Sequence, residues 1–359
     1  MQYILSVVII LSALIKKKSK LITVCMIIFF CILMGLNIHH ISNSGYYNMD
    51  FTNYYTLYQG NQTQISGRDI EVGFQFLMLL SNKIGLSYNM FRVLISIIGY
   101  TLITVTLKRY TPYTNLIYIL YFIFPFLNDA IQIRNFLSMS IIIYSIRYII
   151  EDKKFNSIKY IFGIFLASTI HISSLFYILF LPIKKVNRKI LFGVTTYFAV
   201  ILVALAYTDF YLYLVGIITE NDRILRYFDR RTTWGLILVF GILIMFYLTF
   251  YVMYKRCRTD TDSLIDTKFM NLLLKMNIIM LSIAPLLVYD FNFIRMYRNI
   301  LPLNYIVFVH AILSTKNDRK SKILYSFIAV FFVLCLFIIF YAFNADTQIW
   351  PIFKDNMLF

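Results

Sequence analysis

Charge is what this chain has least of. Of its 359 residues only 14% are Asp, Glu, Lys or Arg, where a soluble globular domain has roughly 25%. The hydrophobic share is 60% and the mean hydropathy +0.73. So little polar surface cannot cover a water-soluble body, which excludes a soluble enzyme or binding module. Strand-like alternation is also missing. The apolar runs are continuous, which argues against a transmembrane barrel and leaves helices, whose backbone bonds close within each segment. Cysteines are few: Cys25, Cys31, Cys257 and Cys335 sit in apolar segments or beside a basic cluster. No pair has metal-ligand spacing, so neither a disulfide framework nor a metal is expected. A phosphate-cradling glycine loop is absent too, so no nucleotide sugar and no other cofactor is expected. Nor is there an internal repeat, which weighs against an inverted-repeat transporter.

What is there is a series of apolar runs near spanning length, punctuated by Lys/Arg clusters. The clusters are Lys16–Lys20, Lys108–Arg109, Arg147–Lys159, Lys184–Lys189, Lys255–Lys268 and Lys316–Lys322. The positive-inside rule puts them in the cytoplasm. About ten spans follow, near 2–15, 21–38, 91–107, 113–127, 135–150, 190–207, 233–254, 269–288, 300–313 and 323–343, with both termini extracytoplasmic. The run from Met1 to Ile15 carries its charges after the apolar stretch, not before it, and reads as a first span rather than a cleaved signal. The net charge of +17 is therefore largely topological, and nucleic acid is not expected as a partner. The fold class is an all-α, polytopic integral membrane protein, a single transmembrane domain over 1–359.

Three segments stand apart. Residues 39–90 form a long first outer loop with an amphipathic helix. Residues 158–181, "IKYIFGIFLASTIHISSLFYILFL", have basic clusters at both ends. One crossing would break the alternation, so the segment reads as two short helices or a re-entrant hairpin with "STIHISS" at its outer tip. Residues 208–232 form a basic outer loop. Outer Lys/Arg residues are mostly arginine, nine of eleven, which orientation alone does not require; the planar guanidinium fork matches phosphate and carboxylate.

Candidate site residues gather on the outer side. "YYNMDFTNYYTLY" sets Asp50 among tyrosines, with Tyr54 four residues on and on the same helical face. Rings suit the apolar faces of a sugar, and a carboxylate suits its hydroxyls; an interfacial tyrosine belt is the plainer account. Glu71 stands at the start of the amphipathic helix, where capping is the simpler role. In "NDAIQIR" Asp129 and Arg134 either pair to hold a turn, or Arg134 faces an anion at a helix start. His171 sits in a polar tip with Ser168, Thr169, Ser173 and Ser174. Arg223, Arg226 and Arg230 are spaced along one helical face and meet either lipid phosphate or a phosphorylated substrate. Asp290, Arg295 and Arg298 lie just before the span from 300. Together these suggest an outward-opening cavity holding a phosphate and a sugar.

At these residues the chain resembles the EpsG family, the Wzy-type membrane polymerases of bacterial exopolysaccharide and O-antigen. The motifs run in order: "MDFTNYY" with Asp50 and Tyr54, "EVGF" from Glu71, "NDAIQIRNFLSMS" with Arg134, "ASTIHISS" from Ala167 to Ser174, and "RMYRNILP" from Arg295 to Pro302. The family often has an Arg before the first Asp, Pro after the Glu and Gln after the Ile-Arg; this chain has none there, Val72 and Asn135. The resemblance implies a GT-C-like glycosyltransferase in the bacterial cytoplasmic membrane. It would move a growing glycan from undecaprenyl pyrophosphate to a lipid-linked oligosaccharide repeat unit on the outer face. Arg134, Arg295 and Arg298, assisted by Arg223 or Arg226, would bind the pyrophosphate. Asp50, Glu71 and His171 would be candidate bases. Tyr54, Asp129 and Asp290 would help bind substrate. A flippase and a chain-length regulator are implied partners, beside membrane lipids. The alternative is a lipid-linked oligosaccharide flippase or other transporter, hinted at by Lys275 within a span. A membrane acyltransferase fits less well, because its donor should come from the cytoplasmic side.

Overall fold

A computed structural model describes residues 2–37, 49–60, 64–65, 68–151, 153–208, 213, 235–259, 265–314, 319–354 and 356–357. Among the described residues, apart from a two-residue antiparallel ladder, Gln64–Ile65 with Arg68–Asp69, and an isolated bridge between Asn37 and Asn356, the regular elements are helices. They form two compact units, Met1–Ile178 with Asn317–Phe359, and Leu179–Lys316.

The first unit contains α1 (Gln2–Ile15), α2 (Lys20–Gly35), α3 (Met49–Gly60), α4 (Val72–Lys83), α5 (Tyr88–Tyr110), α6 (Thr114–Ile123), α7 (Phe126–Ile131), α8 (Ile133–Ile150) and α9 (Asn156–Ser168). Serine caps start two of them. Ser19 accepts the Ile22 N–H at 3.4 Å and Ser87 the Met90 N–H at 3.3 Å, satisfying amides that a helix start leaves open. At one end Asn115 of α6 donates to the Lys16 and Ser19 carbonyls at 2.8 and 3.1 Å, and Arg109 meets Glu151 at 2.6 Å. Three basic clusters thus share that end. At the other end Asn89 of α5 donates to the Gly35 and Asn37 carbonyls at 2.9 and 2.7 Å, and Gln2 to the Phe353 carbonyl at 2.5 Å.

α8 is the centre of this unit. All of it is buried except Arg134, Tyr144, Arg147 and Tyr148. Its serines tolerate burial because they bond back to the preceding turn, Ser140 to the Phe136 carbonyl and Ser145 to that of Ile141, both at 2.7 Å. α9 packs closely along it. A Cβ at Gly163 would lie 2.1 Å from the Ser145 Oγ, so only glycine admits this approach. Beyond α9 the chain breaks at Thr169–His171 and returns as a 3-10 helix, Ile172–Leu179. Tyr160 of α9 donates to the Tyr177 carbonyl at 2.6 Å, which fixes the two arms as a hairpin.

The second unit holds α10 (Phe180–Ile183), α11 (Arg188–Leu205), α12 (Leu236–Thr259), α13 (Thr267–Met280), α14 (Ala284–Leu287), α15 (Arg295–Arg298) and α16 (Leu301–Leu313). Buried Asn277 of α13 and Asn304 of α16 exchange amide hydrogen bonds at 2.9 Å, and Tyr297 donates to Asn277 at 2.8 Å. α17 (Arg319–Tyr341) returns to the first unit.

Among the described residues six helices are long and apolar enough to cross a membrane: Tyr88–Tyr110, Ile133–Ile150, Arg188–Leu205, Leu236–Thr259, Thr267–Leu287 and Arg319–Gln348. The chain is a multi-pass membrane protein. The other four expected spans appear as shorter apolar helices, α1, α2, α6 and α16. At 1.5 Å per residue the 14 residues of α1 reach about 21 Å, short of a hydrocarbon core of about 30 Å. Exposed Phe327 and Phe331 on α17, and Ile190, Phe198 and Val200 on α11, form apolar surface of the kind lipid covers.

Candidate functional site

Four separate elements meet at the end of the first unit away from its basic clusters. Arg134, in the first turn of α8, donates from Nε to the Tyr54 hydroxyl of α3 at 2.8 Å and from Nη1 to Glu71 Oε2. Its Nη2 makes no hydrogen bond among the described residues. Glu71 Oε1 accepts the Ile172 N–H at 3.1 Å and stands 3.7 Å from His171 Nδ1. Ser173 Oγ is 3.4 Å from the same ring nitrogen. The Arg134 and Glu71 side chains are 11% and 12% exposed, and that of His171 6%. This is a largely dry ion pair with an imidazole beside it.

Local sequence explains the assembly. Glu71 occupies the N-cap position of α4, yet its side chain makes no capping bond. It turns instead to Arg134 and Ile172, so the capping role expected for it gives way to ion pairing. Gly73 donates its N–H to the Thr169 carbonyl at 2.8 Å, at the break in the hairpin. A Cβ there would lie 2.3 Å from Thr169 Oγ1 and 2.8 Å from that carbonyl carbon's oxygen. Phe74 meets the Tyr54 ring edge-on at 5.8 Å. "EVGF" therefore supplies a carboxylate, a close approach and a packing ring in four residues. Burial pushes the Tyr54 phenol above its usual pKa, and the adjacent Arg134 opposes that shift.

α4 presents two faces. Phe74, Met78 and Ser81 face inward, but Val72, Phe76, Leu79 and Leu80 are exposed. Its outer face is apolar, as lipid contact demands.

The other predicted residues fall in four groups. Asp50 lies one turn before Tyr54, half-buried, and its charge acts on both Tyr54 and Arg134. Asp129 is fully buried on α7, where it accepts the Tyr121 hydroxyl at 2.9 Å. Arg134 pairs with Glu71 rather than with Asp129, so the turn-holding pair is not formed. Asp290, Arg295 and Arg298 belong to the second unit. Asp290 caps a 3-10 turn by accepting the Asn292 N–H at 2.8 Å, and Arg295 and Arg298 open and close the single turn of α15, Arg298 being buried. Arg223 and Arg226 lie outside the described residues.

One residue escaped the sequence reading. Arg92, in the second turn of α5, is fully buried, with Nη1 on Asn37 Oδ1 at 2.8 Å and Nη2 on the Ala130 carbonyl at 2.9 Å. The signal was a charge inside an apolar run, "NMFRVLIS", which counting it among the outer arginines concealed.

These features define a multi-pass helical membrane protein with a charge-paired site at one end of its first unit. The chain belongs to the EpsG family, whose model matches residues 41–353, and so to a group of membrane proteins associated with exopolysaccharide biosynthesis. No curated protein and no solved structure matches it.

Proposed function

We propose that this protein is a polysaccharide polymerase acting on the outer face of the bacterial cytoplasmic membrane. Its basic clusters would face the cytoplasm and both termini the outside, in a GT-C-like arrangement. It transfers a growing glycan from undecaprenyl pyrophosphate to a lipid-linked repeat unit, with a flippase and a chain-length regulator as partners. The observation that carries this reading is the buried cluster of Tyr54, Glu71, Arg134 and His171.

The geometry supports the following roles. Arg134 is held by Nε and Nη1, which leaves Nη2 to face a phosphoryl oxygen. In so dry a setting a fixed cation stabilises the charge that develops on a leaving pyrophosphate far more than it would in water. Glu71 faces His171 Nδ1, and a proton on Nδ1 makes Nε2 the basic nitrogen of the ring. Nε2 accepts the proton of the acceptor hydroxyl, whose oxygen bonds to the anomeric carbon. The bond from that carbon to the phosphate oxygen breaks, and its electron pair leaves with the pyrophosphate. Asp50 and Tyr54 border the sugar side.

The transporter alternative is hinted at by Lys275 within a span. Lys275 donates to the Lys184 carbonyl at 2.6 Å, next to a basic cluster of the second unit, as a structural cation would. The test is glycan length in a deletion strain complemented with wild type, Arg134→Ala or Arg134→Lys, with membrane level measured by blot. Single repeat units from both variants at normal protein level support the polymerase. Unchanged polymer removes Arg134 from the site. Repeat units that never reach the outer face would favour a flippase.

A further inference from the structure

The two buried arginines at the site end of the first unit are not equivalent. Arg134 has a carboxylate partner in Glu71. Arg92 has none among the described residues: its two terminal nitrogens meet neutral oxygens of Asn37 and Ala130, and its Nε, fully buried, meets no acceptor. A cation taken out of water without an anion is costly.

Aromatic rings cover both. The Phe51 ring lies 4.5 Å from the Arg92 guanidinium carbon, and the Tyr54 ring 5.3 Å from that of Arg134. Phe51 and Tyr54 are three residues apart on α3, in its buried face with Leu57 and Tyr58. Side chains at this spacing start about 5–6 Å apart. One turn of α3 thus covers two cations with two rings. A diphosphate carries two adjacent anionic phosphoryl groups, one for each cation.

We propose that Arg92 is a second cation for the lipid diphosphate, and that the Phe51 ring is the cover the diphosphate displaces from it. Tyr54 keeps its hydrogen bond to Arg134. The anion replaces the weaker cation–π contact on Arg92 with charge-assisted hydrogen bonds. The inference rests on the polymerase reading and names its second diphosphate contact.

The test measures binding of farnesyl diphosphate, farnesyl monophosphate and inorganic pyrophosphate to the full chain in lipid nanodiscs. Wild type is compared with Arg92→Gln, Arg92→Lys and Phe51→Leu. Arg92→Gln should lose about tenfold of the preference for diphosphate over monophosphate, and Arg92→Lys should restore much of it. A role confined to folding would not move that ratio. Phe51→Leu removes the competing ring, keeps the apolar volume, and should tighten farnesyl diphosphate by about tenfold or less; it decides the matter should Arg92→Gln fail to fold. Wild-type binding with Arg92→Gln and Phe51→Leu both unchanged overturns the role of Arg92 alone. Wild type that binds neither diphosphate overturns the polymerase reading as well. Inorganic pyrophosphate bound as tightly as the farnesyl compound would make the ligand the free anion and overturn the lipid assignment.

Discussion

At the basic end of the first unit Arg109, its side chain 46% exposed, meets Glu151, 17% exposed, while at the other end Arg134 meets Glu71 with both side chains close to nine-tenths buried. The chemistry of the two pairs is the same, and the exposure of their cations is not. A pair whose cation stands in water is partly screened and contributes about 0–1 kcal/mol. A buried pair carries a desolvation cost that apolar residues of the same volume would avoid, so stability alone does not explain retaining it. The first pair sits among the lysines that the positive-inside rule would place in the cytoplasm. The second sits with an imidazole, a phenol and a guanidinium edge that makes no hydrogen bond among the described residues, in a dry setting where a fixed charge would act strongly on a bound anion.

The sharpest way to break that contrast is at His171. His171→Gln should lower elongation of a lipid-linked repeat unit in vitro by about 10²–10⁴-fold, the usual worth of a positioned acid–base group. A wild-type rate would move the base to Asp50 or Glu71. Next comes Arg134→Lys, which keeps the charge but loses the fork. It should cost about 10²–10³-fold in the same assay, comparable to removing one fixed donor from a developing anion. A rate within threefold of wild type would show that a point charge suffices there.

Gly73→Ala tests the seam rather than the chemistry. The new Cβ would have to push back the Thr169 backbone, which the hairpin holds through the His171 N–H on the Ala167 carbonyl at 2.9 Å. Overpacking of this kind costs about 1–3 kcal/mol. A lower melting midpoint of the solubilised protein, with reduced elongation, is the expected result; an unchanged midpoint would mean that the hairpin yields freely.

Much of the fold was legible because hydropathy and lysine placement are local signals. The six long helices fall where apolar runs and basic clusters put them, and the break at "STIHISS" lies inside the segment set apart for it. The site was legible only as a roll of residues. That Arg134 would choose Glu71, some sixty positions away, over Asp129, five away, depends on α7. That six-residue helix sends Asp129 inward to Tyr121 and lets α8 begin at the site. Glu71 looked like a helix cap because capping is a local rule, and a tertiary ion pair overrode it. Arg92 was hidden for the same reason, since burial without a counter-charge is a property of packing and not of spacing.

The smallest effect is expected at the basic end. Arg109→Ala removes one partner of Glu151, but Lys153 stands 3.6 Å from the other carboxylate oxygen and keeps it compensated. Both cations are largely exposed, at 46% and 73%, so water and salt already share the work of screening Glu151. Melting midpoint, membrane level and polymer length should all stay at wild-type values, within about 1 kcal/mol in stability. Orientation should survive too, because Lys108 and the lysines of Lys16–Lys20 and Arg147–Lys159 remain to hold it. Should Arg109→Ala shorten the polymer at normal membrane level, the basic end would carry part of the reaction or of a partner's docking, and the division between an orienting end and a reacting end would no longer hold.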